Sequence, residues 1–424
     1  MDWRLDEELF EALTDYVAQN MRKAEILDIV RKNFDSYVWS ARTLTRRLQY
    51  FNITYINYET DVNDVLEAVQ REVAGPGKLL GIRAMNQKLR TEYGIKVPRH
   101  LTYNAMKHVD PDGLEARKCA KKKKKKGTFT SDGPMYVLSL DGHDKMYGYQ
   151  KWTYPIGIYG CLDTFSRKVL YLHVVPSNSD PNVIGNMYLS YLRQSLSLPN
   201  YLRVDRGTET GKMATIQMFL TDKLDILDRP ADSVIYGTST NNKIERFWRD
   251  LHESMEKYFK EQLNYLLQNR EYVKENEIQR RLIAYIYIPI LQRECDTFSR
   301  YWNSHRIRFQ RTSEIPAGIP NVLFACPERE GYEVQGNAIT EEMILEVEAV
   351  SGLKSQMDDN VKLYVDEIEG LWEKCNDLMQ DPHELESGEE VEAYRYLKWK
   401  IDNDSLTTNA DSENESDAST NFEL

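Results

Sequence analysis

The chain is poor in cysteine, with five in 424 residues. Cys119, Cys161, Cys295, Cys326 and Cys375 are scattered, odd in number and form no CxxC pair. That spacing excludes a disulfide framework and a zinc ribbon, and it fits a reducing compartment. Long apolar runs are also lacking. The longest, LIAYIYIPIL (282–291), is interrupted by proline and too short to span a bilayer, so no membrane partner is expected. The amino terminus, MDWRLDEELF, is acidic and amphipathic, which excludes a secretion or transit signal there. Aromatic residues are plentiful. With 27 Tyr, 7 Trp and 41 % hydrophobic residues, the chain can bury the cores of several domains.

A net charge of −12 conceals an asymmetry. Residues 331–424 hold 6 Lys and Arg against 25 Asp and Glu, a net of −19, which leaves +7 for the first 330 residues. A mildly basic body with an acidic extension is a pattern of chains that handle polyanions.

Residues 1–118 are rich in helix formers. In RKAEILDIVRKNF (22–34) apolar side chains recur at near-helical spacing, and Ser40 is placed to cap a second helix in SARTLTRRLQYFNI (40–53). The pair suggests a helix-turn-helix, with Arg42, Arg46 and Arg47 on its second helix. The pattern returns in 81–109, with a turn at Gly94 and a second helix opening near Pro98. That puts Arg99 and His100 where such proteins reach base edges. A plain helical bundle with solvated basic faces is the alternative. KKKKKK (121–126) repels itself and cannot pack, so 119–133 reads as a basic linker able to contact phosphates or to direct nuclear import.

Residues 134–330 alternate strands and helices. PMYVLSLDG, PIGIYGCLD, KVLYLHVVP, YLRVD and SVIYG are the strands, and the order βββαβαβα implies a mixed five-stranded sheet with flanking helices. Helices are expected at about 181–197, from about 211, from about Asn241 and over about 261–302. Residues 331–402 form an acidic helical extension, and 403–424 an acidic tail too poor in apolar residues to fold.

Asp141 closes the first strand, Asp205 the fourth, and Glu245 lies in the first turn of the helix after the fifth. Each alone has an ordinary explanation. The aspartates suit turns, and Glu245 suits a helix start with Arg249 four residues on. In this topology, however, the first and fourth strands are neighbours at the sheet centre and the helix crosses them. Three carboxylates converging there are hard oxygen ligands for Mg²⁺ or Mn²⁺. Two such ions about 4 Å apart can activate an attacking oxygen and stabilise a leaving one in phosphodiester displacement. Asp163, in CLDTFSRK, reads instead as a turn-former accepting backbone N–H bonds.

SLDGHDK, VDRGTETG and YGTSTNNKIERFWRDL resemble the three signature blocks of the DDE integrase/transposase superfamily, in particular the integrase core domain proteins of transposon origin. GPGKLLGIRAMNQKLR, CLDTFSRKVLYLHVVPSNSDP and RYWNSHRIR extend the likeness over about residues 70–330. The resemblance implies an RNase H-like fold. It assigns Asp141, Asp205 and Glu245 as catalytic metal ligands, with 63 and 39 residues between them. The implied chemistry is metal-dependent hydrolysis at DNA ends followed by strand transfer, in a homo-multimer acting in the nucleus. Lys243, Arg246 and Arg249 beside Glu245, and His305, Arg306 and Arg308 after the long helix, are the expected DNA contacts. No spacing here matches the His₂Cys₂ zinc module of retroviral integrases, so no zinc is expected. The competing reading is a domesticated, non-catalytic DNA-binding host protein.

Overall fold

The computed structural model describes residues 2–117, 131–144, 146, 153–237, 242–309, 315–357, 359–379 and 381–403. The lysine run and the tail from 404 lie outside them, as do Asn241 and the side chains of Asn242 and Lys243. Among the described residues no helix is long and apolar enough to cross a membrane.

The five expected strands form one sheet. They are β1 (Val137–His143), β2 (Gly157–Asp163), β3 (Val169–Val175), β5 (Tyr201–Val204) and β6 (Val234–Tyr236). Their spatial order is β3-β2-β1-β5-β6. β2 pairs antiparallel with both β1 and β3, whereas β5 pairs parallel with both β1 and β6. This mixed sheet, clothed by helices, is consistent with the RNase H-like α/β fold. A two-residue ribbon, β4 (Ser197–Leu198) with β7 (Asn337–Ala338), lies outside the main sheet.

Alternation along the strands divides the core in two. Leu138, Leu140, Tyr159 and Cys161 face α8 (Pro181–Ser195) and α9 (Gly211–Lys223), which bury Ile184, Leu192 and Leu220 against them. Ile158, Leu162 and Leu172 face the other way, into a cluster with α10 (Asn242–Leu251), α11 (Lys257–Gln268) and α12 (Glu277–Ser304). The run LIAYIYIPIL is the buried middle of α12, which carries Pro289 inside it. Helix was expected from about 261 to 302 without a break. The structure instead ends α11 at Gln268 and restarts after the Asn276 side chain caps Gln279 N–H at 3.0 Å. Helix α12 also closes the sheet edge. Its Asn303 amide bonds both the N–H and the carbonyl of Val169, and its Gln292 bonds Val174 N–H and Leu172 C=O.

The amino-terminal part contains the expected helices. The first group is α1 (Glu7–Ala18), α2 (Lys23–Asn33) and α3 (Ala41–Tyr50), and Ser40 caps α3 by accepting from Thr43 N–H at 3.1 Å. α4 (Val62–Ala74), α5 (Ile82–Glu92) and α6 (Arg99–Val109) form a second group with its own core, followed by the short α7 (Pro111–Ala116). Gly94 turns the chain between α5 and α6 at φ +65°, where a side chain would be strained. The two groups are bound to the core rather than strung from it. Lys88 of α5 lies between Glu72 of α4 and Glu294 of α12, 2.7 and 3.5 Å away, and these carboxylates keep its ammonium charged despite burial.

The acidic extension is helical, as expected, but it is no mere appendage. Just before it, α13 (Pro320–Ala325) joins the core of the first helix group. α14 (Glu341–Ser351) buries Ile344 and Val347 against α8 and α9. α15 (Asn360–Val365), α16 (Leu371–Leu378) and a closing helical segment at 390–403 bury Val365, Leu371, Cys375, Tyr394 and Leu397 with α12. Charge alone marks this segment as separate; its apolar positions do not. Ile344 is fully enclosed, so Ile344→Ala should lower unfolding free energy by about 2–5 kcal/mol, read as a lower urea midpoint. An unchanged midpoint would show that α14 contributes nothing to the core.

Candidate active site

β1 and β5 pair in parallel with Val137 opposite Tyr201, Leu138 opposite Leu202 and Ser139 opposite Arg203. Carried two residues further along each strand, this register sets Asp141 opposite Asp205, just past the end of β5. Neighbouring strands lie about 4.8 Å apart, so the two carboxylates start from adjacent backbone positions. Asp141 is half-buried and Asp205 is exposed.

The environment of Asp141 is the most perturbed of the three. Burial pushes its carboxyl up to about 7, and the nearby charge of Asp205 adds to the rise. One donor works against this: the indole N–H of Trp248 in α10 reaches Asp141 Oδ2 at 2.9 Å. Neither aspartate is ion-paired with Lys or Arg among the described residues. The Tyr159 hydroxyl, buried on the neighbouring strand without a hydrogen-bond partner, is pushed up by burial and by the charges of Asp141, Glu209 and Asp205. Among the described residues negative charge therefore collects at this end of the sheet, offset at Asp141 by the Trp248 N–H and by His143. Glu209 is close enough to join it. Its carboxylate folds back over Gly207, where a Cβ would stand only 1.9 Å from Oε1.

Glu245 is exposed in the first turn of α10, three residues before Trp248. Among the described residues it forms no ion pair with Arg249, so the i,i+4 bridge expected of an ordinary helix-start glutamate is not made. Nor is it drawn into a cluster: among the described residues no three His, Cys, Asp or Glu side chains stand close enough to hold one ion. Asp141 and Asp205 fit a hard divalent cation by donor type and by their charge. Glu245 shares their end of the sheet but is not gathered with them.

α10 is amphipathic. Ile244, Phe247, Trp248 and Leu251 are buried, while Glu245, Arg246 and Arg249 are exposed. After Leu251 the helix widens into one π-helical turn, His252–Glu256, before continuing as α11. The helix is therefore continuous from 242 to 268. The π turn directs the fully buried Glu256 at His143 Nε2, 2.9 Å away, and at His252 Nδ1, 3.0 Å away. His143 is buried and stacks on Trp248 with ring centroids 4.7 Å apart. Asp163 is the turn-former expected of it. It is fully buried and accepts from Met135 N–H at 2.9 Å, Ser166 N–H at 2.7 Å and the Ser166 hydroxyl at 2.5 Å.

The expected basic contacts separate into two sets. Arg42 and Arg46 on α3, Arg99 and His100 at the start of α6, and Arg246, Arg249 and Arg308 are exposed. Arg47, Arg306 and His305 are engaged within the chain. Arg47 is buried among aromatic faces, 5.2 Å from Trp3, 5.1 Å from Tyr37 and 4.0 Å from Trp39, and its burial shows in a lowered pKa. It is therefore a core cation and not a surface contact; a basic residue on an amphipathic helix can fall on either face. Arg306 pairs with both oxygens of Glu25, at 2.9 and 2.8 Å, joining the segment just after α12 to α2. His305 lies 2.5 Å from Trp302 C=O through Nδ1, and burial lowers its pKa, with the charges of Arg167 and Arg246 acting in the same direction. Arg167 went unnoticed in the sequence because it occupies a β2–β3 turn at φ +63°. It is half-buried and donates to the Pro316 carbonyl, and burial together with the charge of Arg246 lowers its pKa.

Adjacent aspartates at the ends of parallel strands, with a helix laid across them, define an acidic strand-end crevice in an RNase H-like sheet. Residues 129–320 match the integrase core domain family, which supports the resemblance to the DDE integrase/transposase superfamily. The family comprises DNA-binding, divalent-metal-dependent polynucleotidyl transferases and nucleases. A comparison of the chain with curated proteins finds no match.

A carboxyl raised in the folded state binds its proton more tightly there than in the unfolded chain. Its stabilising contribution is complete below the unfolded value near 3.8 and is lost as pH rises through about 7. Without divalent ions, Asp141→Asn should therefore stabilise the protein at about pH 8 by on the order of 2 kcal/mol and have almost no effect at about pH 4. Thermal melts across that range give the difference directly, and a gap independent of pH would contradict the assignment.

Proposed function

We propose that this protein is a DNA integrase or transposase that cuts and joins DNA, with Asp141, Asp205 and Glu245 as its catalytic carboxylates. The observation that carries the reading is the register of β1 and β5, which seats two aspartates side by side at the edge of an integrase core domain. Asp141 and Asp205 would hold Mg²⁺ or Mn²⁺, with Glu245 completing the set from α10. Bound there, divalent cations supply polarisation of the phosphodiester and activation of the attacking oxygen.

The chain's own part is placement and charge. In hydrolysis a water oxygen attacks phosphorus, the P–O bond to the 3′-oxygen breaks, and a proton passes to solvent. In strand transfer the new 3′-hydroxyl attacks a target phosphorus in line, and the displaced 3′-oxygen leaves. No covalent protein nucleophile is needed in either step. Arg246 and Arg249, exposed on α10, suit the DNA backbone beside the cut. Arg42, Arg46, Arg99 and His100, exposed on α3 and α6, suit recognition of a duplex outside the core. Assembly as a homo-multimer and nuclear action, the latter favoured by the lysine run, complete the proposal.

Nicking and joining of labelled duplex DNA with Mn²⁺ tests it. Wild type should cut, and Asp141→Asn, Asp205→Asn and Glu245→Gln should each lose activity by orders of magnitude while retaining DNA binding. Equal cleavage by wild type and Asp141→Asn would sink the assignment. A wild type that binds DNA and Mn²⁺ yet never cuts would favour the non-catalytic DNA-binding reading, for which the ungathered position of Glu245 is the structural argument.

A further inference from the structure

We infer that Trp248 is a positioning residue for the acidic site, fixing the Asp141 carboxylate through its indole N–H, and that the β2 backbone and a His–Glu–His chain centred on the buried Glu256 hold the ring in place. The inference rests on the proposed role of Asp141. The bond is direct, Trp248 Nε1 to Asp141 Oδ2 at 2.9 Å. A carboxylate on a strand rotates about its own bonds, and one such donor at one oxygen restricts that rotation while leaving the other oxygen available. An indole is suited to this because it donates and cannot accept, so it favours the ionised carboxylate over the acid. It also brings no charge to compete with a cation.

The ring can reach Asp141 because position 160 has no side chain. Gly160 lies directly opposite Asp141 in the β1–β2 ladder. A Cβ there would stand 2.8 Å from Trp248 Cη2 and 3.0 Å from Leu172 Cδ1. β2 is a fully buried strand, and this glycine leaves a slot in which the indole lies. The opposite constraint comes from His143, two residues along β1 from Asp141, which stacks on the indole with only 15° between planes. His143 is itself anchored to Glu256, and Glu256 to His252, both in or at the π turn. The π turn places Glu256 under β1, because the extra residue in the turn rotates the following side chains relative to a regular helix. Glu256 is fully buried, and its two imidazole neighbours hold its carboxylate below the usual range despite that burial. The bond to Asp141 thus ends a chain of contacts that begins 11 residues along the same helix from Glu245.

The arrangement predicts that Trp248 acts on cation binding as well as on packing. Trp248→Phe keeps an aromatic ring against His143 and Gly160 but removes the N–H. It should fold with a near-normal melting temperature and bind Mn²⁺ about 10–100-fold more weakly by calorimetry, as expected when a support of a ligating carboxylate is removed. In ¹H–¹⁵N spectra of metal-free protein, the indole signal that disappears in Trp248→Phe identifies Trp248. In otherwise wild-type protein that signal should move upfield with Asp141→Asn, which replaces an anionic acceptor with a neutral one, and should shift again when Mg²⁺ is added. Gly160→Ala should weaken Mn²⁺ binding in the same direction with the indole chemistry intact. Wild-type Mn²⁺ affinity in Trp248→Phe, or an indole signal indifferent to Asp141→Asn, would reduce Trp248 to a core residue and overturn the inference. If wild type itself binds no Mn²⁺, the catalytic reading of Asp141 fails, while the indole response still decides whether the bond to Asp141 exists.

Discussion

Parallel pairing of β1 with β5 is the constraint on which the site depends. Parallel strands require a crossover, and here α8 provides it, returning the chain to the same end of the sheet from which β1 set out. Because each strand repeats every two residues, a slip of one would turn Asp205 to the opposite face from Asp141. The register is held by burial: Leu202 and Val204 point into the α8–α9 core beside Leu138 and Leu140. Apolar contacts on one face thus decide where charge lies at the strand ends. The cost is visible at Asp141, whose carboxyl is pushed up because it shares a partly dry crevice with Asp205.

Much of this arrangement was legible in the chain itself. Strand positions followed from apolar runs bounded by Gly, Pro and Asp, and the neighbourhood of the first and fourth long strands followed from their order. The turn role of Asp163 was legible too, since Asp-Thr-Phe-Ser-Arg carries its own hydrogen-bonding logic. Helix starts with a polar cap, such as Ser40, were equally clear. What could not be read was which face of a helix a charged residue takes once a second element packs on it. Arg46 and Arg47 are adjacent in sequence, yet one is solvated and the other is enclosed by Trp3, Tyr37 and Trp39. Arg306 and Glu25 are 281 residues apart, and no local pattern announces their pairing. The same holds for Trp248: helical periodicity marks it as buried, but its polar edge acquires a partner only when β1 comes beneath it.

The acidic extension shows a related limit. Composition separates it from the body, and a net of −19 after residue 330 suggests a segment kept apart by repulsion. In the folded chain its apolar residues are shared between the two cores on either side of the sheet, and most of its described carboxylates remain outside, the fully buried Glu390 excepted. Charge partition along a sequence and domain partition in space are different divisions. The second follows apolar burial, which here amounts to many buried side chains each contributing about 1.5–3 kcal/mol.

The amide groups of Asn303 and Gln292 have a consequence for how copies of this protein can meet. A sheet edge normally offers its unsatisfied backbone to any passing strand. At β3 those groups are already bonded to two side chains of α12, spaced along the strand like rungs of a sixth strand that is not there. Two copies cannot merge their sheets through this edge without first breaking those bonds and lifting α12. Sheet-to-sheet pairing between copies is thereby closed off at the β3 edge, while β6 forms the other edge.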